Sequence, residues 1–221
     1  MRNFWCFYNN GKYKVGCSGS AIYIYDENDN ELARFKDLTC VYSGAFQPNK
    51  NKFVAKSSLG SFAVYDLDKL QLIKVVVLDG GEDGFAFTPN GKYFYNIEKS
   101  LNSLSSKLVV YDTVNYKVVD SYFNEDDSLK LDIIEFDTSN NCYILGYKMN
   151  LKGIFKHGFI GIFKDGKIIN QKFMNSKRYK NILYFKKVNN NEPTKKYIER
   201  NYTEKYNKEK WTTLSEEYLK L

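Results

Sequence analysis

Phe87-Thr88-Pro89-Asn90-Gly91-Lys92-Tyr93 and Val109-Val110-Tyr111-Asp112 decide the fold, because both segments return elsewhere in the chain. The first repeats Phe46-Gln47-Pro48-Asn49-Lys50. The second repeats Tyr23-Ile24-Tyr25-Asp26 and Ala63-Val64-Tyr65-Asp66. A period near 40 residues, built from short β segments, marks an array in which each unit buries its apolar faces against its neighbours.

An aromatic followed by a polar turn opens each repeat, at Phe7, Phe46, Phe87 and Phe136. A fifth copy is read at Phe185-Lys186-Lys187-Val188-Asn189. The spacings are 39, 41, 49 and 49 residues. Asn10-Gly11 and Asn90-Gly91 supply the positive-φ residues of tight hairpins. Pro48 and Pro89 preset φ at the turn entry. Aromatics then restart the next strand at Tyr13, Phe53, Tyr93 and Tyr143.

The second anchor is an apolar run ending in Asp, with a looser fourth copy at Gly158-Phe159-Ile160-Gly161-Ile162-Phe163. These runs barely alternate, so both of their faces must be covered. The pattern predicts four strands per repeat, near 41–47, 52–57, 61–66 and 70–78 in the second and 84–88, 92–97, 107–112 and 116–123 in the third. The strand before each opening aromatic carries small residues, as in Gly44-Ala45 and Gly84. That suits either an innermost strand at a crowded axis or a bulge.

On the x-V-Y-D strand and the F-x-P-N-G-K-Y turn, residues 4–188 resemble the WD40 and YVTN-like β-propeller repeats. The resemblance implies an all-β fold, a small propeller of four to five four-stranded blades with the last irregular, followed by a C-terminal helical segment. Blades are expected near 4–40, 41–80, 81–125 and 129–175, with a partial one at 180–189 and a helical cap at 190–221. It also implies loops presented to other macromolecules. The Gly-His and Trp-Asp dipeptides of WD40 repeats are absent and His157 is the sole histidine, so the polar network of those blades cannot form. Blade cohesion must rest on aromatic and aliphatic packing. Three endings stay open: an irregular fifth blade, a ring of four, or an arc whose edge the C-terminal segment covers.

The tail offers Pro193 as a first helical residue, then Ile198, Tyr202 and Tyr206, then Trp211, Leu214, Tyr218 and Leu221 at helical spacing. Thr213-Leu214-Ser215-Glu216 fits a capping box. The stripe is expected to pack on the protein's own last blade rather than on a partner.

Charge is unevenly placed. Residues 1–147 hold 15 basic and 19 acidic side chains, whereas residues 148–187 hold 11 basic ones and only Asp165. Such a surplus steers acidic partners. The candidate contact residues are Lys172, Lys177, Arg178, Lys180, Lys186 and Lys187. Lysines interleaved with aromatics over 172–187 also suit nucleic acid, a weaker reading than a protein partner.

Cys6, Cys17, Cys40 and Cys142 form no CxxC pair, so a metal site is not expected and reduced thiols in a cytoplasmic protein are. Met1-Arg2-Asn3-Phe4-Trp5 opens no apolar run, and no stretch approaches the length of a membrane span. No nucleophile–base pair or phosphate loop is apparent, and no cofactor or catalytic residue is expected. The acidic segments Gly80–Gly84 and Asn124–Ser128 lack the ligand spacing of a calcium loop. The leading expectation is a non-catalytic module docking a protein with an acidic surface. A bacterial immunity protein neutralising a toxin is the alternative, and a propeller hydrolase or lyase or a carbohydrate-binding propeller stands further off.

Overall fold

The computed structural model describes residues 4–78, 80, 84–99, 105–189 and 212–221. Its sixteen strands are β1 (Cys6–Asn9), β2 (Tyr13–Cys17), β3 (Ile22–Asp26), β4 (Glu31–Phe35), β5 (Val41–Phe46), β6 (Lys52–Ser57), β7 (Ser61–Asp66), β8 (Gln71–Val77), β9 (Phe85–Phe87), β10 (Tyr93–Lys99), β11 (Ser106–Asp112), β12 (Val118–Tyr122), β13 (Leu129–Phe136), β14 (Cys142–Met149), β15 (Phe155–Lys164) and β16 (Lys167–Met174). Two helices follow, α1 (Ser176–Asn189) and α2 (Leu214–Leu219). Consecutive strands pair antiparallel into four four-stranded sheets among the described residues. This is the all-β architecture of a small β-propeller, with a short C-terminal helix. The strands of the second and third sheets match the expected ranges within two residues at each end.

The chain divides into two compact units. The first holds the sheets β1–β4 and β5–β8, with a core of Val15, Ile24, Val41, Phe53, Ala63 and Tyr65. The second holds the other two sheets, α1 as far as Lys186, and α2, with Ile97, Leu108, Leu131, Ile144 and Phe159 packed between β9–β12 and β13–β16. The apolar third strands are covered on both faces, as their continuous runs required: Phe62–Tyr65 of β7 and Leu108–Tyr111 of β11 are buried throughout. The fourth strand of the second sheet alternates instead, with β8 reading exposed and half-buried by turns.

The repeated Asp is a turn residue. Asp66 Oδ1 accepts from the main-chain N–H of Asp68 and Lys69, and Asp112 Oδ1 from those of Val114 and Asn115. Asp26 does the same for Asn28 and Asn30. A short acceptor at this position satisfies donors that the strand can no longer pair. The Pro turns differ in detail from expectation. Gly91 takes φ 67°, but in the second repeat the left-handed residue is Asn49, at φ 59°, one place earlier. Asn90 contributes its side chain instead, accepting from Lys92 N–H.

Gly44 lies at a close approach rather than at a bulge. A Cβ there would sit 2.3 Å from the Phe53 ring and 2.9 Å from the Val54 carbonyl. Its N–H donates to the Tyr8 hydroxyl at 2.7 Å, tying β5 to β1. The register shift in this strand falls at Val41/Ser43 instead.

One expectation is corrected. The partial fifth blade at 180–189 is not a strand, because those residues belong to α1. Asn175 starts the helix, its Oδ1 accepting from Arg178 N–H at 3.0 Å and its carbonyl from Tyr179 N–H at 3.0 Å. Tyr179, Ile182 and Leu183 then fall on one helical face, directed onto β13–β16.

Candidate partner-binding surface

The outer face of β13–β16 is a sheet with helices laid on it. Ile133, Leu145, Ile160 and Met174 form a floor for Tyr179 and Ile182 of α1 and for Leu214 of α2. Gly158 makes room, since a Cβ there would lie 2.6 Å from the Tyr179 ring. Tyr179 donates to the Asp132 carboxylate, which sits at the bulge of β13. Asp126 is pinned as well. Burial alone would raise its carboxyl, but Lys148 at 2.6 Å and Ser128 outweigh that and hold it below the usual range.

α2 is fastened at both ends. The expected capping box is present, with Glu216 N–H donating to Thr213 Oγ1 at 3.2 Å and Thr213 N–H to Glu216 Oε2 at 2.6 Å. Leu214 N–H donates to Glu135 Oε2 at 2.7 Å, a charge-assisted bond from a helix N-terminus to the sheet beneath. Tyr218 packs on Tyr143 with ring centroids 5.6 Å apart and donates its hydroxyl to the Asn170 carbonyl at 3.0 Å. The apolar stripe of Leu214, Tyr218 and Leu221 therefore covers the protein's own last sheet. Pro193, Ile198, Tyr202, Tyr206 and Trp211 lie outside the described residues.

The six candidate basic residues divide by role. Lys172 Nζ donates to the Tyr218 carbonyl at 3.0 Å and lies 4.5 Å from its ring centroid. Arg178 reaches Glu217 at 3.7 Å. Both are engaged with α2. Lys177 and Lys180 are exposed on α1 and make no ion pair among the described residues. Lys186 and Lys187 continue the helix, but their side chains lie outside the described residues. Lys152, Lys156, Lys164 and Lys167 add exposed positive charge at the ends and edge of the same sheet.

Elsewhere, His157 packs edge-on against Phe173, with centroids 4.7 Å apart. Among the described residues no three His, Cys, Asp or Glu side chains converge as metal ligands would. A buried polar group escaped the sequence reading. Glu98 Oε1 accepts from the Tyr111 hydroxyl at 2.6 Å and from Asn96 Nδ2 at 3.0 Å, and Lys107 lies 3.8 Å from Oε2. Asn96 and Glu98 are both buried and two residues apart, hence on one face of β10. Two polar residues at that spacing inside an apolar strand were the available signal.

No family model matches this chain, and no curated protein does. Among solved structures it is similar to Kuenenia stuttgartiensis hydrazine synthase, at 15% identity with a TM-score of 0.60. The match covers 75% of this chain and 47% of that one, so the likeness spans about half of that chain's length. At such identity it establishes a shared fold. No helix among the described residues is long and apolar enough to cross a membrane.

Proposed function

We propose that this protein is a non-catalytic binding module whose basic surface docks a protein partner with an acidic one. The exposed lysines of α1 carry the reading. Lys177 and Lys180 stand on a helix that Tyr179 and Ile182 clamp to a four-stranded sheet, so their charge is presented from a rigid base. The surrounding segment holds 11 basic residues against one acidic residue. The WD40- and YVTN-like character of the repeats supports the same role, because arrays of that kind offer surfaces to macromolecules.

The test is recovery of a stoichiometric partner at moderate salt, followed by charge reversal of Lys177 and Lys180 alone. Arg178 is left intact because it holds Glu217. Association slows by about tenfold at low salt while thermal stability is unchanged. Equal association rates at low salt for the double variant and the parent would overturn the proposal.

A further inference from the structure

Cys6 and Cys17 stand directly opposite one another on β1 and β2. Both are fully buried, within a core they share with Val41, Phe53 and Tyr65. The other two cysteines are placed differently, Cys40 in a half-exposed loop and Cys142 in the other unit. Opposed residues of an antiparallel pair have Cα atoms about 4.5–5.5 Å apart, inside the roughly 4.4–6.8 Å that a disulfide spans.

We propose that Cys6 and Cys17 are a redox pair that closes into an intramolecular disulfide under a peroxide oxidant and staples the first strand of the chain to the second. One sulfur attacks the peroxide oxygen, giving a sulfenic acid and releasing water. The other sulfur attacks that sulfenic sulfur and expels a second water. The two thiols lose two electrons and two protons in all, and the peroxide is reduced to two waters.

The surroundings set the kinetics. The neighbouring Cys6 thiol, then burial, push the Cys17 thiol well above its ordinary value, so attacking thiolate is scarce in the closed state. Reaction therefore runs through opening of β1, which pairs in its sheet with β2 alone. Once formed, the bond is shielded from reductants by the same core. The pair is slow to close and slow to reopen.

The test treats the full chain with hydrogen peroxide at mildly alkaline pH in sub-denaturing urea, alkylates residual thiols and maps the peptides. The expected product links Cys6 to Cys17, is reversed by dithiothreitol, and raises Tm by roughly 5–10 °C relative to the reduced protein. A C40S/C142S variant behaves identically, whereas C17S shows no oxidation-dependent rise. Free Cys6 and Cys17 after Cys40 has been fully oxidised, a mapped bond to Cys40 or Cys142, or a linked product with lowered Tm would each overturn the assignment.

Discussion

The Lys172 ammonium donates to the Tyr218 carbonyl and lies over the ring of the same residue, at 3.0 Å and 4.5 Å. A lysine in the most basic stretch of the chain thus acts as a fastener. α2 has six residues, too few to persist as a helix in water on its own. What keeps it is Leu214 in the core, Glu135 at its first turn, and Lys172 and Arg178 near its end.

Lys172→Met keeps the aliphatic stem and removes the ammonium. It weakens docking of α2 by about 1–2 kcal/mol, from one hydrogen bond and one cation–π contact. Hydrogen exchange of residues 214–219 rises accordingly, with the strand amides of β14 and β15 unchanged. Equal exchange in variant and parent would show that the ammonium is merely solvated.

Acid releases the same helix. Burial alone would raise the Glu217 carboxyl, but bonds from Thr212 and Lys220, with Arg178 nearby, outweigh it and hold the group below its ordinary value of 4.5. A carboxyl depressed on folding contributes stability that is complete above the unfolded value and is lost as pH falls through the folded one. Protection of residues 214–219 is therefore flat from neutrality to about pH 5 and declines below 4.5. In Glu217→Gln the part of that decline owed to Glu217 disappears. An unchanged acid limb in the variant would assign it to other groups.

Tyr65→Phe is neutral or stabilising by up to about 1 kcal/mol. The Tyr65 hydroxyl is buried without a hydrogen-bond partner, while its ring packs on Phe35 at 4.8 Å. Removing the hydroxyl ends a desolvation cost and keeps the ring. Chemical denaturation measures it, and a loss above about 1 kcal/mol would mean that the hydroxyl is satisfied.

Tyr111→Phe has the opposite sign. It strips the 2.6 Å bond from Glu98, a carboxyl 3% exposed in the core of the third sheet, and costs about 1.5–3 kcal/mol. The pair of Tyr→Phe changes thus separates a hydroxyl that is satisfied from one that is not, at matched burial.

Gly44→Ala destabilises by about 1–3 kcal/mol, because the new methyl meets the Phe53 ring and the Val54 carbonyl and only the ring can move. A neutral result by thermal denaturation would place the glycine at a tolerant bulge after all.

Strand ranges were legible from the chain because their causes are local. Pro48, Pro89, Gly91 and the repeated Asp26, Asp66 and Asp112 act on backbone within five residues. Continuous apolar runs announced strands covered on both sides, and Thr213 with Glu216 announced the cap of α2. Residues 180–189 read as a partial blade because Phe185-Lys186-Lys187 copies an anchor locally, yet they belong to α1. That helix is decided by Asn175 at the start and by a floor of Ile133, Leu145 and Ile160 brought from three other strands. The candidate site divided for the same reason. That Lys172 and Arg178 face Tyr218 and Glu217, that Cys6 meets Cys17, and that Glu98 finds Tyr111 depend on register and on contacts between distant segments. Turn chemistry and side-chain period are written residue by residue. Which charge is neutralised and which stays exposed depends on what folding places beside it.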